Sequence, residues 1–146
     1  VAGTSHLGLP NRGGLTDALV GEPETLSTFL RDSGVPNLRV LTSGPIPPNP
    51  QELLASQRME VLLERLRDEA DIVLVDTPPS LVVADANVLA ARTDGVVLVV
   101  NADRTRRVTV HQATEDLRQV GANLLGGVLN MVDIHRGRGA GYYSYH

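Results

Sequence analysis

Asp76, which ends the apolar stretch within Asp71-Ile-Val-Leu-Val-Asp-Thr-Pro-Pro79, is the residue with most chemical promise in this chain. A carboxylate at the end of an apolar strand is placed to hold Mg²⁺, through water, against nucleotide phosphates. The competing reading is an aspartate that caps the next turn. Asn130 ends another apolar run, Val128-Leu-Asn130; its amide offers a donor and an acceptor and can read a nucleobase edge, or can satisfy loop backbone. Asp85 reads as a partner of that metal site or as a first-turn helix charge. Arg104, Arg106 and Arg107 offer a phosphate or an anionic partner a basic turn, or are simply solvated. Tyr142, Tyr143 and Tyr145 crowd the terminus Arg136-Gly-Arg-Gly-Ala-Gly-Tyr-Tyr-Ser-Tyr-His146. Tyrosines in such a glycine-arginine segment have no packing role, and they read as accessible phosphate acceptors or as a docking tail.

The totals narrow the chemistry. All thirteen basic residues are arginine, so a Walker A loop, which needs a lysine for the β/γ-phosphates, has no place within these 146 residues. With no cysteine, disulfides, thiolate metal sites and cysteine nucleophiles are excluded. His6, His111, His135 and His146 lack ligand spacing. A net charge of −4 makes no case for nucleic acid as a partner. Phe29 is the only phenylalanine and tryptophan is absent, so the core must be built of Val, Leu, Ile and Ala. No apolar run approaches a membrane span, no signal peptide is visible, and the chain reads as soluble.

The elements that position these residues follow from pattern. Helices are expected near Leu15–Leu19 and Thr25–Asp32, and a strand at Leu38–Thr42 before the proline-rich loop Pro45–Pro50. Asn49 as N-cap, Pro50 at the first helical position and Glu52 folding back predict a helix start. Met59, Leu62, Leu63 and Leu66 then give that helix one buried stripe. Ile72–Asp76 predicts a strand buried on both faces, stopped by Pro78 and Pro79. A helix over Ala84–Arg92, a strand over Val96–Asn101, and a helix capped by Thr105 follow. That last helix buries Val110, Ala113, Leu117 and Val120 and closes at Gly121. Leu124–Asn130 is a further strand. Alternation of strand and helix predicts a parallel sheet with right-handed crossovers, an α/β fold whose strands place Ser43, Asp76, Asn101 and Asn130 on one carboxyl edge.

Leu38–Leu54, Asp71–Pro79, Val128–Asn130 and the tyrosine tail together resemble the cytoplasmic kinase domain of bacterial tyrosine kinases of capsule and exopolysaccharide synthesis. Leu7-Gly-Leu-Pro-Asn-Arg-Gly-Gly-Leu15 resembles that family's segment just beyond its second Walker motif. The likeness covers nearly the whole chain, although Asp-Thr-Pro-Pro alone also occurs in partition and septum-placement ATPases. It implies a partial P-loop NTPase-like three-layer fold over 1–135 and a flexible tail over 136–146. It further implies Asp76 as the Walker B carboxylate on Mg²⁺, Asn130 facing the adenine of ATP, and Tyr142, Tyr143 and Tyr145 as the autophosphorylation cluster. Walker A and the catalytic aspartates of the second Walker motif are expected upstream of Val1, with the missing strands in the middle of the sheet, so no catalytic residue is assigned here. The implied function is that of a C-terminal portion of an ATP-dependent tyrosine autokinase regulating capsule, exopolysaccharide or lipopolysaccharide production. Such a portion alone is expected to be inert. The implied partners are neighbouring kinase subunits and a membrane activator or chain-length regulator, at the cytoplasmic face of the membrane. Two alternatives stay open: an inactive regulatory or substrate module of a separate kinase, and a piece of a partition-type ATPase.

Overall fold

A computed structural model of the chain describes residues 8–21, 26–77 and 85–133. The helices are α1 (Leu15–Val20), α2 (Leu26–Phe29), α3 (Pro50–Ala55), α4 (Gln57–Glu69), α5 (Asp85–Ala90) and α6 (Arg107–Gln119). The strands are β1 (Leu30–Asp32), β2 (Arg39–Leu41), β3 (Val96–Asn101) and β4 (Leu124–Asn130).

The stripe read from α4 is the centre of the core. Met59, Leu62 and Leu63 are buried with Leu19 of α1, Leu26 of α2 and Leu89 of α5. Leu66 packs against that cluster, one turn further along the same face, as does Leu54 of α3. The helix does not run unbroken from Pro50. Ser56 adopts an extended backbone (ψ 158°) and separates α3 from α4. Arg92 compensates for that break: its guanidinium donates to the carbonyls of Leu54 (2.8 Å), Ala55 (2.6 Å) and Ser56 (3.1 Å) and pairs with Glu60. Carbonyls that a continuous helix would satisfy internally are thereby met from α5's end. Asn49 bonds Glu52 side chain to side chain (2.6 Å) in place of the backbone capping expected.

The N-terminus of α1 is satisfied by a loop. Leu15 and Thr16 donate their amides to the carbonyls of Thr42 (2.7 Å) and Ser43 (3.1 Å), directly after β2. Such an approach leaves no space at Gly14, where a Cβ would stand 2.2 Å from the Thr42 carbonyl oxygen. Asn11 fastens the same loop, accepting from the Gly44 amide (2.9 Å) and donating to its carbonyl (3.0 Å). Thr42 is fully buried beneath this junction.

Two sheets of two strands are present among the described residues. β3 and β4 are parallel, with Val100 opposite Leu129 and Asn101 opposite Asn130. α6 connects them and buries Ala113 and Leu117, with Gly121 left-handed (φ 74°) just past its end, as the sequence indicates. Val120 lies outside the buried face (38% exposed). The helix begins one residue later than expected, with Arg106 and not Thr105 at the N-cap. β1 and β2 form an antiparallel hairpin, Leu30 opposite Leu41. The helix expected over Thr25–Asp32 is thus replaced, among its described residues, by helix at Leu26–Phe29 and strand at Leu30–Asp32.

The largest departure concerns Ile72–Asp76. The segment carries no strand pairing, and Ile72 (76% exposed) and Leu74 (89%) face solvent. A strand needs a neighbour for its amides and carbonyls, and none pairs with this run among the described residues. The same lack leaves Val97 and Val99 of β3, and Leu125 and Leu129 of β4, exposed. The doubly buried sheet implied by these apolar runs is therefore not closed by the described residues.

Candidate functional site

The carboxyl edge of the β3–β4 pair is the best-built polar region. Parallel register brings Asn101 and Asn130 side by side, as the sequence indicates. The Asn101 side-chain oxygen accepts from the amides of Asp103 and Arg104, both at 3.1 Å, and folds the turn after β3. The Ala102 amide donates to the Asn130 carbonyl (2.8 Å), so the two strand ends are sewn together. Asn130 itself accepts from the Met131 amide at 2.8 Å. Its oxygen is thus occupied by loop backbone, and its amide nitrogen makes no hydrogen bond to another described residue. Met131 is left-handed (φ 56°), a conformation rare for a long side chain, and Asn130 holds it there.

The other sequence-derived residues are not gathered at this edge. Asp76 is exposed at the end of the irregular segment 71–77, and no hydrogen bond joins it to another described residue. Ser43 follows β2 of the separate hairpin, where its hydroxyl donates to Asn11 Oδ1 (3.2 Å). It serves the α1 junction, not a shared edge. Asp85 opens α5, which agrees with a first-turn position. Tyr142, Tyr143, Tyr145 and the boundary between 135 and 136 lie outside the described residues. Arg104, Arg106 and Arg107 are exposed on the turn after β3 and the start of α6.

These positions do not assemble a nucleotide–metal centre on their own. No group of three or more His, Asp or Glu able to hold a metal occurs among the described residues. Among the described residues Asp76 has no partner, and one exposed carboxylate does not fix a divalent ion against three phosphates. No phosphoryl-transfer step is therefore derived from the described residues. A groove of about 380 Å³ between α1, α2 and α4 is lined by Leu19, Leu26, Val61 and Leu62 with Arg58 and Arg65, and includes none of the residues above. Its Arg58 is engaged with the carbonyls of Leu19 (2.9 Å) and Val20 (2.8 Å). Among the described residues, no helix is long and apolar enough to cross a membrane.

Sequence reading did not single out Asn11, Asp17 or Arg92. Asp17 accepts from the Gly14 amide (2.9 Å) and completes the α1 junction. The clustering of Asn11 and Gly13-Gly14 before a helix, and of Ser43-Gly44 after a strand, is the signal that could have located the junction.

No protein-family model matches the chain. Among curated proteins it is 37% identical over 138 residues to the putative tyrosine-protein kinase CapB of Staphylococcus aureus, and 39% identical over 136 residues to the tyrosine-protein kinase YwqD of Bacillus subtilis. These matches take in 94% and 93% of this chain but 59% and 57% of the relatives, so it spans little more than half their length. Among solved structures, the kinase domain of the Escherichia coli tyrosine kinase ETK superposes with a TM-score of 0.82 at 35% identity, covering 98% of this chain and 55% of that one. The VpsO kinase domain gives the same TM-score at 33% identity, covering 89% of this chain and 64% of that one. The fold is thus the mixed α/β, P-loop NTPase-like fold of those kinase domains. By sequence and by fold, the chain belongs to the bacterial tyrosine kinase family.

Proposed function

We propose that these residues form part of an ATP- and Mg²⁺-dependent protein-tyrosine autokinase that regulates capsule, exopolysaccharide or lipopolysaccharide production. The observation that carries this reading is the 37–39% identity to tyrosine-protein kinases over more than nine-tenths of the chain. In it, Asp76 holds Mg²⁺ through water, the Asn130 amide nitrogen faces the adenine, and Tyr142, Tyr143 and Tyr145 accept the γ-phosphoryl group. The phosphate cradle and its lysine come from polypeptide outside these 146 residues, since the chain contains no lysine. The exposed apolar run before Asp76 supports this, because a strand laid beside it would order the carboxylate. Neighbouring kinase subunits and a membrane activator or chain-length regulator are the partners, at the cytoplasmic face of the membrane. A relevant neighbour is the chimerical protein CapA2B2, 37% identical with a TM-score of 0.82.

The absence of lysine favours a second reading for the chain taken alone, a substrate or regulatory module phosphorylated by a complete kinase. One experiment separates them. The chain is joined to the phosphate-binding part of a relative and incubated with ATP and Mg²⁺, and the tail is read by mass spectrometry. Phosphate on Tyr142, Tyr143 or Tyr145 that disappears in Asp76→Asn supports the kinase reading. Phosphate added only by a separate complete kinase, and unaffected by Asp76→Asn, supports the module. An unmodified tail in both arms refutes both.

A further inference from the structure

The arginine turn after β3 carries more positive charge than the acidic side chains of its edge offset, three arginines against Asp103 and Asp133. Arg104 lies in the turn, Arg106 is the N-cap of α6 and Arg107 its first residue, and all three are exposed. None forms a side-chain hydrogen bond or ion pair with another described residue. No acidic residue occupies the first turn of the 13-residue helix, and no side chain caps it. Positive charge therefore sits against the positive end of a helix dipole, an arrangement that opposes folding in the absence of an anion. The basic groups of α4 and β2 behave otherwise: Arg67 pairs with Asp94 and Arg39 with Glu69.

The chain itself carries candidate anions close by. The Ala102–Asn130 hydrogen bond (2.8 Å) fastens this turn to the end of β4, so the polypeptide leaves the described residues beside the arginines. From Asp133 to Tyr142 is nine residues (142 − 133), which extended can reach about 30 Å. Tyr142, Tyr143 and Tyr145 are thus tethered within range. A phosphotyrosine carries close to two negative charges and three acceptor oxygens, which guanidinium groups engage in pairs of hydrogen bonds.

We infer that the Arg104–Arg106–Arg107 turn is a docking site for the phosphorylated tyrosines of the chain's own tail. The inference rests on the proposed phosphorylation of those tyrosines. Unphosphorylated, the tail brings Arg136 and Arg138 and no acidic side chain for the turn to bind. Phosphorylation reverses its charge and draws it onto the turn. A short tether raises its local concentration into the millimolar range, which favours its own tail over that of a second copy.

The test bypasses any kinase, so its outcome is separable from that of the proposed function. A synthetic peptide of residues 136–146 with phosphate on all three tyrosines is added to the full chain, and binding is followed by fluorescence anisotropy. Binding is expected for the phosphorylated peptide and not for the unmodified one, and it weakens as salt rises. It should fall roughly tenfold or more in Arg104→Gln/Arg106→Gln/Arg107→Gln, in line with the loss of charge-assisted contacts. Circular dichroism checks that this variant folds. A chain made by semisynthesis with phosphotyrosine at 142, 143 and 145 should refuse the added peptide at every protein concentration. Equal binding by the triple variant, or none by the original chain, overturns the proposal. A semisynthetic chain whose mass in sedimentation rises with concentration assigns the turn to a second copy and overturns the intramolecular form.

Discussion

Replacing Gly14 by alanine should be among the most damaging single-methyl changes in the chain, and its size can be worked from the α1 junction. The added Cβ would meet the Thr42 carbonyl oxygen at 2.2 Å and the Gly44 nitrogen at 2.5 Å, both backbone atoms that cannot swing aside. Relief requires the start of α1 to retreat by about 1 Å, to ordinary contact distance. That stretches the Leu15–Thr42 and Thr16–Ser43 hydrogen bonds, now 2.7 and 3.1 Å, past useful length. Two such bonds are worth about 2 kcal/mol together. The forced shift of Leu15, Ala18 and Leu19 against the core adds about 1–3 kcal/mol. The alanine returns only about 0.4–1 kcal/mol by stiffening the unfolded chain. The net expectation is a loss of about 3 kcal/mol, which lowers the urea midpoint by roughly 1.5 M for an m-value of ~2 kcal/mol/M. Far-UV circular dichroism is the suitable signal, since the chain has no tryptophan. Gly126→Ala is the control, since a Cβ there meets nothing within 4 Å, and it should be neutral or slightly stabilising. If both variants shift the midpoint alike, the close approach at Gly14 is not what holds α1.

Three further outcomes are expected. Leu62→Ala removes a buried side chain from the centre of the core and should cost about 2–5 kcal/mol in the same urea titration. Arg92→Ala should cost about 1–2 kcal/mol by removing the donor to the Leu54 and Ala55 carbonyls, Ser56 keeping the Met59 amide; Arg92→Lys should recover less than half, since an ammonium lacks the guanidinium fork that reaches these carbonyls together. Leu74→Ser, at a side chain 89% exposed, should leave stability within about 0.5 kcal/mol while lowering binding of a hydrophobic dye. A large stability loss there would mean that the run packs in solution.

What was legible in the sequence was what neighbours in sequence decide. The stripe Met59, Leu62, Leu63 and Leu66 is a property of one helix, and it is buried as its period indicates. β3, α6 and β4 form a strand–helix–strand unit of consecutive elements whose two strands run parallel, and Asn101 meets Asn130 at their carboxyl ends. β2 falls within the strand expected at Leu38–Thr42, but its partner β1 was missed because a three-residue strand carries too few alternations to show a period. The hairpin turn was written nevertheless in Gly34, Pro36 and the left-handed Asn37. The break at Ser56 was not legible, because what satisfies it, Arg92, lies 36 residues away in sequence from that serine.

Ile72–Asp76 separates two meanings of a strand signal. Its composition is that of a buried parallel strand, and the composition is sound physics: such runs are selected to be covered on both faces. Pairing, though, is a property of two segments. With no partner beside it among the described residues, the run stays irregular and Asp76 stays in solvent. The exposed Val97, Val99, Leu125 and Leu129 carry the same message from the other side, since neither face of the β3–β4 pair is fully covered. The polar edge is different in kind. Asn101 and Asn130 are fixed by hydrogen bonds to their own turns and to each other's strand ends, so they need no further chain to be in place. It follows that the base-facing and anion-binding chemistry proposed for that edge should survive in these residues alone, whereas the role proposed for Asp76 requires a strand laid beside it. Loss of metal-dependent chemistry with retention of phosphopeptide binding is the combination this division requires.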